Sequence, residues 1–148
     1  MSNPDAELIA TYKRLVSAAA QAAKNAYAPY SHEPRGAALL TQDGQIICGV
    51  TVEIATFGAS IAAEINAVCQ AVALGHRHFK AIAIAPYSNP SGNARQFIAE
   101  FGINVDLVMG TEEGVQVISL KELLPLHFGP DNMGDSKVKG VATSGGAL

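Results

Sequence analysis

Glu64 stands in Ala62-Ala63-Glu64, just inside a stretch with helical spacing, and a carboxylate there can give or take a proton as a general acid or base. Ser91 follows Pro90 and opens the next helical stretch. Its hydroxyl is placed to orient a substrate, and the amides near Gly92 and Asn93 are placed to hold developing negative charge. No histidine stands beside Ser91, which argues against a covalent nucleophile. His32 adjoins Glu33 and is a candidate base, although a surface position explains it better. His76-Arg77-His78 is an HxH, but no third ligand has suitable spacing, and the end of a helix favours His and Arg in any case. Glu112-Glu113, between Gly110 and Gly114, reads as a solvated turn. The glycines form no phosphate-binding loop.

The elements that must position these groups follow from periodicity and punctuation. Asn3-Pro4-Asp5 starts a helix, with Asn3 as its cap. Leu8, Ile9, Tyr12, Leu15, Val16, Ala19, Ala20 and Ala23 continue it at helical spacing, and Ala28-Pro29 should stop it. Gly36 to Thr41 reads as a strand, Asp43-Gly44 as a hairpin turn, and Gln45 to Glu53 as the returning strand. A helix over Ser60 to Leu74 ends at Gly75. Ala81 to Ala85 is a short central strand, and Ser91 to Glu100 a helix stopped at Gly102. Val105 to Met109 and Val115 to Ser119 are strands, and Leu120 to Leu124 is a helical turn before Pro125. This order gives an α/β fold of three α/β/α layers around a central mixed sheet of about five strands. Residues 1–132 read as one domain and 133–148 as a flexible tail.

Composition removes several classes of function. The chain has 148 residues and a formal charge of -3, with no run of Lys or Arg beyond Lys13-Arg14, so nucleic acid is not an expected partner. Cys48 and Cys69 are the only cysteines, make no CxxC, and read as buried small hydrophobes. Met1 to Asp5 is polar and no stretch is apolar enough to span a bilayer, so a cytoplasmic protein without a membrane partner is expected.

Taken in order, several segments resemble the small homotetrameric cytidine deaminases. Ala26-Tyr27-Ala28-Pro29-Tyr30-Ser31 is similar to the family's entry motif, and Gly36-Ala37-Ala38-Leu39-Leu40 follows at family spacing. Val52-Glu53-Ile54-Ala55-Thr56-Phe57-Gly58 resembles the ribose-binding segment. Ala63-Glu64 with Ala67-Val68, and Pro90, Gly92, Arg95 and Gln96, resemble the two catalytic helices. Leu123-Leu124-Pro125 and Phe128-Gly129-Pro130 resemble the closing segment, which also holds His127. The likeness runs over residues 8–132. It implies a zinc-activated water that attacks C4 of cytosine while the glutamate shuttles the proton.

The same resemblance exposes departures. The zinc positions carry Ala62, Ser91 and Ala94, so no zinc and no other cofactor is expected. Ile65 stands where the family has an arginine that offsets thiolate charge. Thr51 replaces the asparagine before the ribose-binding Glu53, Glu33 replaces a ring that stacks on the pyrimidine, and Arg35 replaces a valine. Phe57 and Phe128 occupy positions that reach a neighbour's site, implying a homotetramer with composite pockets. The resulting expectation is an acidic pocket of Glu64, Glu53 and Glu33, bordered by Thr51, Ala55, Phe57 and Phe128, at a subunit interface. It would bind a small nucleoside-like, amine or guanidine ligand, with metal-independent acid–base chemistry by Glu64 and Ser91. The alternatives are a catalytically inactive structural or regulatory homologue, in which Glu64 is a relic, and a nucleoside deaminase acting on cyclic amidines.

Overall fold

A computed structural model describes residues 4–133. Asn3, read as a helix cap, and residues 134–148 of the expected tail lie outside them. The chain order is α1 (Pro4–Ala23), β1 (Gly36–Thr41), β2 (Ile46–Val50), α2 (Ala63–Ala73), β3 (Phe79–Ala85), α3 (Gly92–Ala99), β4 (Asp106–Thr111), β5 (Gly114–Ser119) and α4 (Leu120–Leu123). The strands form one sheet in the order β2-β1-β3-β4-β5. β1 pairs antiparallel with β2 and β3, β3 pairs parallel with β4, and β4 pairs antiparallel with β5. The sheet is therefore mixed. Its central β3 is buried at every position but Lys80 and is sandwiched between helical layers, as the apolar run 81–85 predicted.

Alternation along β1 divides the core in two. Ala38 and Leu40 face α1 and pack with Tyr12, Leu15 and Ala19. Ala37 and Leu39 face α2 and α3 and pack with Ala63, Ala67, Val68, Ala71 and Ile98. Two glycines set how closely the helices approach. A Cβ at Gly36 would collide with the α1 backbone at Ala19 and Ala23, and one at Gly49 would collide with the α2 backbone at Ala63 and Ala67. Small residues on both partners let helix and strand backbones touch, which fixes the start of α2 against the sheet.

Several boundaries differ from the sequence reading. α1 ends at Ala23 rather than near Pro29, because the amides of Lys24, Asn25 and Ala26 bond three residues back and Tyr27 then bonds Thr51. Leu8 and Ile9 share the helical spacing but are exposed. β2 ends at Val50 and α2 starts at Ala63, since Val52 pairs with Tyr27 and Ile61 instead of extending the sheet. Cys69 is exposed and Cys48 half-buried. The buried face of α2 runs through Ala63, Ala67 and Ala71, and Cys69 points off it.

Candidate functional site

The path of the chain brings both helix starts to one end of the sheet. α2 runs antiparallel to β3, so it begins beside the Ala85 end of that strand, and the loop after Ala85 leads directly into α3. α2 and α3 pack on the same face, so Glu64 and Ser91 stand at the starts of adjacent helices. Glu64 is 7 % exposed. Burial pushes its carboxyl above the ordinary carboxylate range, while its own backbone amide and the charge of Arg35 act in the opposite direction.

The loops around Glu64 are stitched together by backbone bonds. Val52 and Ile61 exchange both amide bonds, at 3.0 and 2.9 Å, and the Glu53 amide bonds the Tyr27 carbonyl at 2.8 Å. The Glu53 carboxylate accepts the Tyr30 and Ser31 amides at 3.0 Å each and also the Ser31 hydroxyl. The Ser31 hydroxyl bond, then the two amides and the nearby His32, hold Glu53 below the ordinary range against the opposing effect of burial. Glu53 thus anchors the entry loop, in which His32 takes a left-handed backbone with φ 59°. Glu33 is exposed and pairs with Arg35 at 3.0 Å. Of the three acids read as a pocket, Glu64 is the one bonded only to its own backbone amide.

Ser91 is the N-cap of α3, and its hydroxyl accepts the Ala94 amide at 3.2 Å. Ala62 is the N-cap of α2 and makes no side-chain cap bond. Ala94 is fully buried. The residues at these three positions do not fit a zinc ion: two end in methyl groups without lone pairs, and the third is a neutral hydroxyl engaged by a backbone amide. Among the described residues, no group of three or more His, Cys, Asp and Glu side chains is arranged to hold a metal.

Thr51 is half-buried and Ala55 exposed on the adjoining segment. Phe57, in a 3-10 turn, is 69 % exposed and lies 6.0 Å from the Tyr30 ring between centroids. Phe128 is 61 % exposed. Its carbonyl accepts from Gln96, while Arg95 donates to the carbonyls of Pro90 and Leu123 at 2.9 Å each. Arg95 and Gln96 therefore tie the closing segment to α3. The sequence reading named Arg95, Gln96 and Arg35 but not these partners. The Glu33-Pro34-Arg35 spacing carried one signal, because an extended residue before proline brings its i and i+2 side chains to the same side. His76, in the HxH, lies 3.5 Å from Asp43 in the hairpin turn.

Comparisons with known proteins agree with this architecture. A family model described as "Cytidine and deoxycytidylate deaminase zinc-binding region" matches residues 2–87, which include Ala62 and Glu64. The chain is 37% identical over 127 residues to a cytidine deaminase of Halalkalibacterium halodurans, covering 82% of this chain and 96% of that one. It is 35% identical over 126 residues to a probable cytidine deaminase of Dictyostelium discoideum, covering 82% and 86%. The crystal structure of cytidine deaminase from Burkholderia pseudomallei superposes with a TM-score of 0.72 at 38% identity, over 78% of this chain and 97% of that one. That of Mycobacterium tuberculosis gives 0.71 at 33%, over 80% and 97%.

Proposed function

The chain belongs to the cytidine and deoxycytidylate deaminase family, and from that membership we propose a protein that uses the family's buried glutamate without zinc. It binds a small nucleoside-like, amine or guanidine ligand at the starts of α2 and α3. The observation that carries this reading is Glu64 itself, buried at 7 % exposure and bonded to no other residue, beside metal positions that hold no ligand atoms. A buried carboxyl with no bond to another residue costs stability, so a ligand that partners it offsets that cost. Protonated, Glu64 presents both a donor and an acceptor to the amidine edge of a nucleoside-like ring; ionised, it pairs with an amine or guanidine. The same proton exchange is what acid–base chemistry would use. The exposed rings of Phe57 and Phe128 favour a pocket completed by a second copy in a homotetramer.

Calorimetry with cytidine and a panel of amines and guanidines tests this. Wild-type protein binds at least one member, and Glu64→Gln weakens it by roughly tenfold or more. No binding by wild type across the panel overturns the reading. Product formed by metal-free wild type but not by Glu64→Gln would assign the acid–base role. A second reading, a non-catalytic subunit, is favoured by Leu126 at 97 % and Phe128 at 61 % exposure. It requires that the chain stay monomeric until an active deaminase is added.

A further inference from the structure

We propose a second binding site, independent of Glu64, in the cleft at the opposite end of the sheet, for a small planar aromatic acid that also carries an N–H donor. The cleft has a volume of about 600 Å³, within the roughly 300–1,000 Å³ usual for small-molecule sites. It lies where β3 and β4 begin, bounded by Tyr12 of α1, Gln42 after β1, His78 to Lys80, Phe101 to Asn104, and Asp106.

Its lining supplies three kinds of contact. Phe79 and Phe101 pack with ring centroids 5.3 Å apart, and Phe101 and Ile103 are only partly covered, which gives a flat ligand an apolar wall. Lys80 is exposed, and with the amides of Gln42 and Asn104 it offers donors to an acid group. Asp106 is the acceptor. The Tyr12 hydroxyl donates to its Oδ2 at 2.7 Å, and its Oδ1 has no partner among the described residues. Burial, then the bond to Asp106, pushes the Tyr12 hydroxyl pKa far up, so Tyr12 stays a donor. The side chains of Gln42, His78, Lys80 and Asn104 make no hydrogen bond or ion pair within the described chain, yet they border one cleft. An amine or ring N–H directed at Asp106 and an acid group directed at Lys80 would use both charges, with the ring against Phe101.

The test is a titration of the full chain with 4-aminobenzoate, followed by amide nitrogen–proton NMR, with benzoate and aniline as controls lacking one end. Saturable shifts are expected at Lys80 and at residues 101–106, stronger for 4-aminobenzoate than for either control. Lys80→Gln should weaken binding about tenfold, as loss of a charge-assisted hydrogen bond does. Asp106→Asn should erase the preference over benzoate. Because Asp106→Asn also disturbs Tyr12, the surface variant Lys80→Gln decides alone should the former fail to fold. Glu64→Gln should leave the titration unchanged, which separates this site from the first. No saturable shift at these residues up to about 10 mM, or equal shifts for all three compounds, overturns the proposal.

Discussion

At the end of the sheet where α2 and α3 begin, Ser31, Glu53, Arg95 and Gln96 spend their polar side chains on the protein's own loops. At the other end the side chains of Gln42, Lys80 and Asn104 border a cleft and make no hydrogen bond or ion pair within the described chain. At the first end the polar side chains are bound into the chain's own loops, and Glu64 among them bonds only its own backbone amide. Ala62, Ser91 and Ala94 offer no zinc-binding side chain, and Arg35, whose charge acts on Glu64, is paired with Glu33.

Stability should differ at the two ends accordingly. Arg95→Met removes charge-assisted bonds to Pro90 and Leu123 and should cost about 2–3 kcal/mol in urea unfolding. Lys80→Gln at the far end should stay within about 0.5 kcal/mol. Equal costs would mean that the two ends are not organised differently.

A smaller contrast is set by pH. The Glu53 carboxyl is held below its ordinary range, so its contribution to folding is full above the unfolded pKa and disappears as pH falls through the folded one. Glu53→Gln should therefore lower the Tm at neutral pH, and the gap should close in acid. Glu64 has the opposite sign. Its folded pKa is raised, so the protein is favoured below the unfolded pKa and loses that advantage as pH rises through the folded one. Glu64→Gln should therefore raise the Tm at neutral pH and match wild type in acid. Thermal melts of both variants against pH check the pair, and shifts of the same sign would refute the assignment of roles.

Much of the fold was legible in the sequence. β1 has the bounds Gly36–Thr41 that its apolar run and the following Asp43-Gly44 turn indicate, and the mixed α/β/α order follows from the spacing of the helices. Segments that leave regular structure were harder to read. Thr51 to Glu53 alternate like a strand, but they pair with Tyr27 and Ile61, contacts that no local pattern specifies. Cys69 was misread because residue type suggested burial while the helical face at Ala63, Ala67 and Ala71 excluded it. At the site, residue identity alone gives methyl groups at Ala62 and Ala94 and a hydroxyl at Ser91. Ser31, bonded by Glu53, and Leu123, bonded by Arg95, lie 22 and 28 residues from those side chains, so only the fold reveals these pairs.

The central claim is that this family member works at Glu64 without zinc. Native mass spectrometry of freshly purified protein, with released small molecules identified, tests it most directly. A tetramer carrying an organic ligand in stoichiometric amount and no zinc is the expected result. One zinc per chain would contradict it.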